Sequence, residues 1–388
     1  MSLKNRRGAF KRFSAVAAVA AVAALALVGC TSTAGGTPTS GSEPIAKEDL
    51  VLVVSVINTT NPYFIANIDG AKALSEKLDI PLEIVDSQGS SQTEISKIQA
   101  ILAQGKKVVM FVNTVASSDA PTIVDAVERA GGFVTIWWNK PDDFEPWKVG
   151  DHFVAFQKHP GVASGRCNAK AIGDSLGGEG NVIMFPGVQD STTSQTRVAG
   201  FEAEMRENYP GITILESQPS NWDPQLANQN AKDLIAKYGD TINGVWSADD
   251  GMQLGAIQAF EDAGLLEKTK FASDGLYPDT VALMKEGYGN NAIVGETFHR
   301  GYMASSIGLY TAYLAATGEI IPSELPEDKR TSFFDIKCVT PDTLGDYAQY
   351  DGPDAAANFV DRLVETGPWD TEPATLVGGG GPEELPKP

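Results

Sequence analysis

Residues 50–78 read LVLVVSVINTTNPYFIANIDGAKALSEKL, and the order of textures in this stretch decides the fold. Leu50–Ile57 is a short β-rich run of Val, Leu and Ile with a single Ser, the composition of a strand covered on both faces. A polar turn through Asn58 and Asn61 ends it. From Pro62 to Leu78, the residues Ile65, Ile68, Ala71, Leu74 and Leu78 recur at three- and four-residue steps, which predicts a helix with one buried face. A buried strand followed by an amphipathic helix is the repeating half of an α/β fold with a parallel sheet.

The same rhythm continues outward. Apolar runs at Leu82–Asp86, Val108–Asn113 and Phe133–Trp138 alternate with helical stretches at Glu94–Gln104 and Ala120–Ala130. Residues Asn139–Asp151 are polar, carry two prolines and lack periodicity, so they predict a connection between lobes. Strands then follow at Phe153–Phe156, Asn181–Phe185, Ile212–Glu216, Gly244–Ser247 and Lys270–Asp274. Helices are expected near 160–176, 193–208, 224–238, 250–264 and 279–286. Ala292–Phe298 and Tyr302–Ala316 supply a last strand and helix. Two α/β lobes of similar build are the expectation.

The N-terminal end reads as a processing signal rather than as fold. Lys4, Arg6, Arg7, Lys11 and Arg12 precede an apolar run from Ala15 to Val28, which is shorter than the roughly 20 residues a membrane span needs. It closes in Leu27-Val28-Gly29-Cys30, which resembles the lipobox of bacterial lipoproteins. That resemblance implies a signal peptide over 1–29, a lipid anchor on Cys30, and residence on the outer face of the cytoplasmic membrane. Residues 30–46, rich in Thr, Ser and Gly, would form a flexible tether. The formal charge is −20, and it falls to about −25 once the five basic residues of the leader are removed. Such a surface repels nucleic acid, which needs clustered Lys and Arg. Cys167 and Cys338 permit a disulfide in an exported chain, with two free buried thiols as the alternative.

Ligands of open α/β sheets sit outside the carboxyl ends of the strands. Asn58, Asn61, Tyr63 and Phe64 follow the first strand, and Trp137, Trp138 and Asn139 close the fourth. The second lobe offers Gln195 and Arg197, Trp222 and Asp223, Asp249 and Asp250, and Asp274. Hydrogen-bonding groups alternating with aromatic faces suit a polyhydroxylated ligand, whose hydroxyls need donors and acceptors and whose C–H faces prefer flat rings. Asp250 reads as a helix-start carboxylate rather than a ligand contact.

These residues give the chain its resemblance to the ribose-type periplasmic sugar-binding proteins of ABC importers, from about Val51 to about Val339. The carriers are Asn61-Pro62-Tyr63-Phe64, Asp86-Ser87-Gln88-Gly89, Ile98 to Gly105, Trp222-Asp223, Ala248 to Met252, Leu254 to Ile257, and Ser273-Asp274-Gly275. The resemblance implies a type I periplasmic binding protein: two Rossmann-like lobes with parallel sheets joined by a three-strand hinge. It implies lobes of 47–150 with about 297–325 and 151–296 with about 326–345, followed by a loose tail over 346–388. It also implies a monomer that delivers its ligand to a membrane permease and its ATPase. Carried over by position, the ligand set is Asn61, Tyr63 and Phe64 from the first lobe. The second supplies Gln195 or Arg197, Trp222, Asp249 and Asp274, with Glu296 at the hinge. Trp137-Trp138 replaces the Asp-Arg pair usual in ribose binders, and Asp249 stands where Asn is usual. Both changes turn the expectation toward a polyol, a cyclitol or another sugar.

Enzyme readings find little support. Gly173-Asp174-Ser175-Leu176 matches an esterase motif but falls late in a helix, and Gly177–Gly180 precedes a strand where a dinucleotide loop must follow one. His152, His159 and His299 lack metal-ligand spacing, and neither a cofactor nor a metal is expected. Asp249 and Asp250 adjoin at a helix start, where two carboxylates seldom face one substrate atom.

Overall fold

The computed structural model describes residues 43–374, 376–378 and 385–386. The expected signal peptide, Cys30 and the first thirteen tether residues therefore lie outside the described residues. In chain order the first elements are β1 (Leu50–Val56), α1 (Pro62–Leu78), β2 (Leu82–Asp86), α2 (Ser91–Leu102), β3 (Lys107–Asn113), α3 (Ala120–Arg129), β4 (Phe133–Trp137), α4 (Pro146–Val149) and β5 (Phe153–Lys158). Next come α5 (Gly161–Ser175), β6 (Glu179–Phe185), α6 (Thr192–Asn208), β7 (Gly211–Ser217), α7 (Pro224–Tyr238), β8 (Gly244–Ser247), α8 (Asp250–Asp262) and β9 (Lys270–Ala272). The chain finishes through α9 (Pro278–Glu286), α10 (Tyr288–Asn291), β10 (Ile293–Phe298), α11 (Gly301–Ala316), α12 (Glu327–Arg330), β11 (Thr331–Phe334), β12 (Lys337–Val339), α13 (Ala355–Thr366) and β13 (Leu376–Gly378).

Two sheets result, ordered β13-β11-β5-β4-β3-β1-β2 and β12-β10-β9-β8-β6-β7. Neighbours are parallel except for β13 on β11 and β12 on β10. The uniform apolarity of β1 has the cause its composition suggested. Val51 and Val53 face a core with Ile98, Ile123 and Val127, while Leu52 and Val54 face another with Ala71, Leu74 and Phe111. Helix α1 departs in one detail: Ile65 is 44 % exposed, and the buried face runs through Ile68, Ala71 and Leu74.

Three expectations are corrected. Phe153–Phe156 does not open the second lobe: β5 pairs with β4 in parallel, and the polar stretch before it, with α4, is the crossover a parallel pair requires. Residues 326–345 are likewise divided, with β11 against β5 in the first sheet and β12 against β10 in the second. The tail is also not loose where it is described. Phe359, Val360 and Leu363 of α13 are buried, Tyr302 of α11 meets Phe359 edge-on at 5.8 Å, and Lys77 of α1 pairs with Asp361 at 2.7 Å. The chain thus passes between the sheets after β5, after β10 and after β11, and residues 340–354 carry it back a fourth time. A disulfide joins Cys167 of α5 to Cys338 of β12, with Cα atoms 6.0 Å apart.

Candidate functional site

The carboxyl ends of the two sheets face one another, and a small cavity lies between them. Its first-lobe wall is Ile57, Tyr63, Phe64, Asn113, Trp138 and Asn139; its second-lobe wall is Thr193, Arg197, Trp222, Asp249 and Tyr277, with His299 at the crossing after β10.

Local chemistry sets each group in place. Asn61 caps α1 by accepting the Tyr63 N–H at 2.9 Å, which swings Tyr63 and Phe64 into the cavity. The Trp138 indole N–H donates to the Tyr63 hydroxyl at 2.7 Å, and burial raises the phenol's pKa. Trp138 and Trp222 both have left-handed backbones, φ 69° and 61°. Non-glycine residues hold that conformation only where surrounding structure imposes it, and such positions gather at ligand sites. Gly187 makes room for the second indole: a Cβ there would lie 2.1 Å from the Trp222 ring. Asp249 caps α8, accepting the Met252 N–H at 2.8 Å, and Asp250 is the first-turn carboxylate behind it, a helix-start position as expected. Burial lifts the Asp249 carboxyl to about 6. Asp250 is an inner brace that accepts from Ser273 Oγ at 2.5 Å and from the Tyr277 N–H at 2.6 Å.

Direct bonds join the lobes on both sides of the cavity. Asn61 Nδ2 donates to Asp249 Oδ2 at 2.7 Å and to the Trp222 carbonyl at 3.1 Å. On the other side Asn139 Oδ1 accepts from Ser191 Oγ at 2.8 Å, and the Trp138 carbonyl accepts from Thr193 Oγ1 at 2.9 Å. The Ser117 N–H donates to the Asp190 carbonyl at 2.7 Å. This is a closed arrangement.

Arg197 supplies the cavity's one guanidinium. Nη1 donates to the Ala248 carbonyl, Nε lies 3.6 Å from Asp274 Oδ2, and the group lies 5.9 Å from the Trp222 ring centre. Asp274 is fully buried behind it and accepts from Ser164, Thr297 and Asn168. Burial pushes its pKa up and Arg197 opposes that shift.

Of the residues singled out from sequence, Tyr63, Phe64, Trp138, Asn139, Arg197, Trp222 and Asp249 line the cavity. Five do not. Trp137 is sealed in the core against Phe111 and Phe334, because neighbouring residues at the end of β4 cannot both face the cleft. Gln195 is exposed and donates to the Gln189 carbonyl at 2.8 Å; two residues along α6, Arg197 turns inward. Asn61 is spent on its cap and bridge, Asp274 stands behind Arg197, and Glu296 is bound by Gln253 at 2.7 Å and Ser273 at 3.1 Å. Sequence reasoning missed Ile57, Asn113, Thr193, Tyr277 and His299. Asn113 ends β3 and His299 follows β10, so the rule that found the others could have found them.

Four lining groups hold buried nitrogens without a hydrogen-bond partner: Asn113 Nδ2, Arg197 Nε, Trp222 Nε1 and His299 Nδ1. Leaving such atoms unmade costs roughly 1–3 kcal/mol each. Arg197 Nε is turned toward Asp274, 3.6 Å away, and the other three belong to residues that line one aromatic-walled space. Among the described residues no three His, Cys, Asp or Glu side chains gather as a metal site.

A two-lobed α/β receptor, its cavity between the carboxyl ends of both sheets, is the class that this fold and site define. The chain belongs to the periplasmic binding protein domain family, whose model matches residues 52–319. It is similar to the ribose import binding protein of Haemophilus influenzae, 22 % identical over 73 % of this chain and 90 % of that one. It is also similar to the xylitol-binding protein of Mycolicibacterium smegmatis, 24 % identical over 76 % and 79 %. Among solved structures, a twin-arginine translocation pathway signal protein from Burkholderia phytofirmans matches with 30 % identity and a TM-score of 0.75, covering 80 % of this chain and 96 % of that one. An ABC transporter solute binding protein from Bacillus halodurans, solved with bound myo-inositol, shares the fold at 21 % identity and a TM-score of 0.64, covering 81 % of this chain and all of that one.

Proposed function

We propose that this protein is the extracytoplasmic solute receptor of an ABC importer, capturing a small sugar, polyol or cyclitol between its lobes and catalysing no reaction. The observation that carries this reading is a cavity walled by Tyr63, Phe64, Trp138, Trp222 and Tyr277 whose lining residues Asn113, Trp222 and His299 hold buried nitrogens without a partner. Donors without partners need oxygens, and ring faces need C–H surface; a polyol offers both. Relatives named for ribose and xylitol support the ligand class. The mechanism is closure: a ligand touching both walls favours the closed arrangement, and a permease with its ATPase reads that shape. Cys30 would carry the lipid that holds the receptor at the membrane, and the receptor would act as a monomer. By strand pairing, the first lobe comprises 47–158, 301–334, 355–374 and 376–378, and the second 161–298 and 337–339.

The test is a thermal-shift screen over ribose, arabinose, other pentoses, hexoses, xylitol and inositols. One narrow group should raise the melting temperature by several degrees and bind with micromolar Kd, about −8 kcal/mol. A flat response across the whole panel overturns the ligand class.

A further inference from the structure

The two rims of the cleft are satisfied by protein: Asn61 with Asp249 and Trp222 on one side, Asn139 with Ser191 and Thr193 on the other. The hinge end is different. There the chain crosses from β10 of the second sheet to α11 of the first, and His299 sits in that crossing, 2 % exposed and lining the cavity. Its Nδ1 has no hydrogen-bond partner. Rings enclose the imidazole: Tyr63 at 5.2 Å, His159 at 5.7 Å, Trp138 at 5.9 Å and Tyr277 at 6.4 Å between centres. None of these rings hydrogen-bonds the imidazole, and the cavity that His299 lines is the space from which a partner can reach it.

Resting on the receptor reading above, we propose that His299 is a ligand-contacting specificity residue whose neutral imidazole hydrogen-bonds an oxygen at the hinge end of the bound polyol. The contact comes from the crossing itself rather than from either lobe. It therefore fixes how far the ligand reaches toward the hinge, and it selects ligands with a hydroxyl or ring oxygen at that end. The groups facing the imidazole favour its neutral form. Arg197 and Arg300 are the nearby cations, and burial and both charges lower its pKa well below the ordinary value. The carboxylate of this cluster, Asp274, lies against His159 Nε2 at 3.8 Å and Arg197 Nε at 3.6 Å. Arg300 is itself engaged by Asp351 at 2.9 Å, and Tyr63, Tyr277 and Trp138 add no charge. A proton taken up by the imidazole in the open receptor, where an ordinary histidine titrates near 6.5, must be shed on closure. Affinity should then fall as pH drops below about 6.5, by up to tenfold per unit.

The test is isothermal calorimetry with whichever of ribose, arabinose, xylitol and myo-inositol the wild type binds most tightly, together with melting of the protein without added sugar. His299→Phe should bind at least tenfold more weakly while melting no lower than wild type, because an apolar ring replaces a buried polar atom that lacked a partner. His299→Asn should recover most of the affinity and lose the wild type's acid-side decline between pH 7.5 and 5.5. An affinity for H299F within threefold of wild type overturns the proposal. So does an H299N pH profile that follows the wild type, an arm that stands even if H299F does not fold. If wild type binds none of the four, the tightest binder of the wider panel takes their place; if it binds no member of that panel, the ligand class fails instead, and the two failures are distinct.

Discussion

Single residues carry most of the site's chemistry. Gly187 holds no ligand, yet its missing Cβ is what allows the Trp222 indole to stand where it does. Gly187→Ala should displace the ring and weaken binding at least tenfold, with an overpacking cost of about 1–3 kcal/mol in stability; calorimetry and thermal melting read both, and unchanged affinity would contradict the placement. Glu94 gives a pH prediction. It is fully buried, with Oε1 accepting from Ser55 at 2.7 Å and Oε2 from the Val115 N–H at 3.1 Å, and burial lifts its carboxyl from 4.5 to about 7. The folded state keeps a proton that the unfolded chain releases, so stability is full below pH 4.5 and is lost as pH rises to 7, on the order of 3 kcal/mol. Asp249, lifted to about 6, adds in the same direction, whereas the lowered surface carboxyls Asp174, Glu207 and Glu216 act below that window. Asp274 and Glu296, also raised by burial, add to this slope, and His159 and His299, lowered by burial, oppose it. Glu94→Gln is therefore read by difference: relative to wild type it should gain on the order of 3 kcal/mol between pH 4.5 and 7.5 in denaturant titrations, and a constant difference would contradict the assignment. The residue scale was half legible. Trp222 and Asp249 were found because they follow strand ends, and Arg197 was left tied with Gln195 because two positions along one helix look alike until the lobe beside it is known.

Elements were more legible than their partners. The strand and helix rhythm from Leu50 to Ala316 is written in apolar spacing, which is local. Membership of a sheet is not: Phe153–Phe156 reads as a strand in either lobe, and only its pairing with β4 decides. The tail failed for another reason. Phe359, Val360 and Leu363 do show helical spacing, but the glycine run near the end drew the whole segment toward a loose reading. Phe359→Ala should lower stability by about 3–5 kcal/mol, as deletion of a buried phenyl does, while sugar affinity stays within threefold. A melting point within a degree of wild type would mean that α13 does not pack. The Cys167–Cys338 disulfide lies inside one lobe and spans 171 residues, so the double Ser variant should lose about 2–4 kcal/mol without loss of affinity.

At the scale of the molecule, function is the balance between open and closed lobes. Asn61 serves both sides of that balance, capping α1 in the first lobe and bonding Asp249 and the Trp222 carbonyl in the second. Asn61→Ala should enlarge the radius of gyration measured by X-ray scattering without added sugar, and saturating ligand should restore the wild-type value. Its affinity should fall about tenfold if closure becomes less populated by that factor. The most direct measurement of the central claim is a crystal structure of the protein with the tightest-binding member of the sugar and polyol panel. Ligand oxygens are expected within 3.2 Å of the Arg197 guanidinium, Trp222 Nε1 and Asn113 Nδ2, with the ligand's carbon face against Trp222 or Tyr63. A ligand bound elsewhere, or one leaving those nitrogens unpartnered, would contradict it.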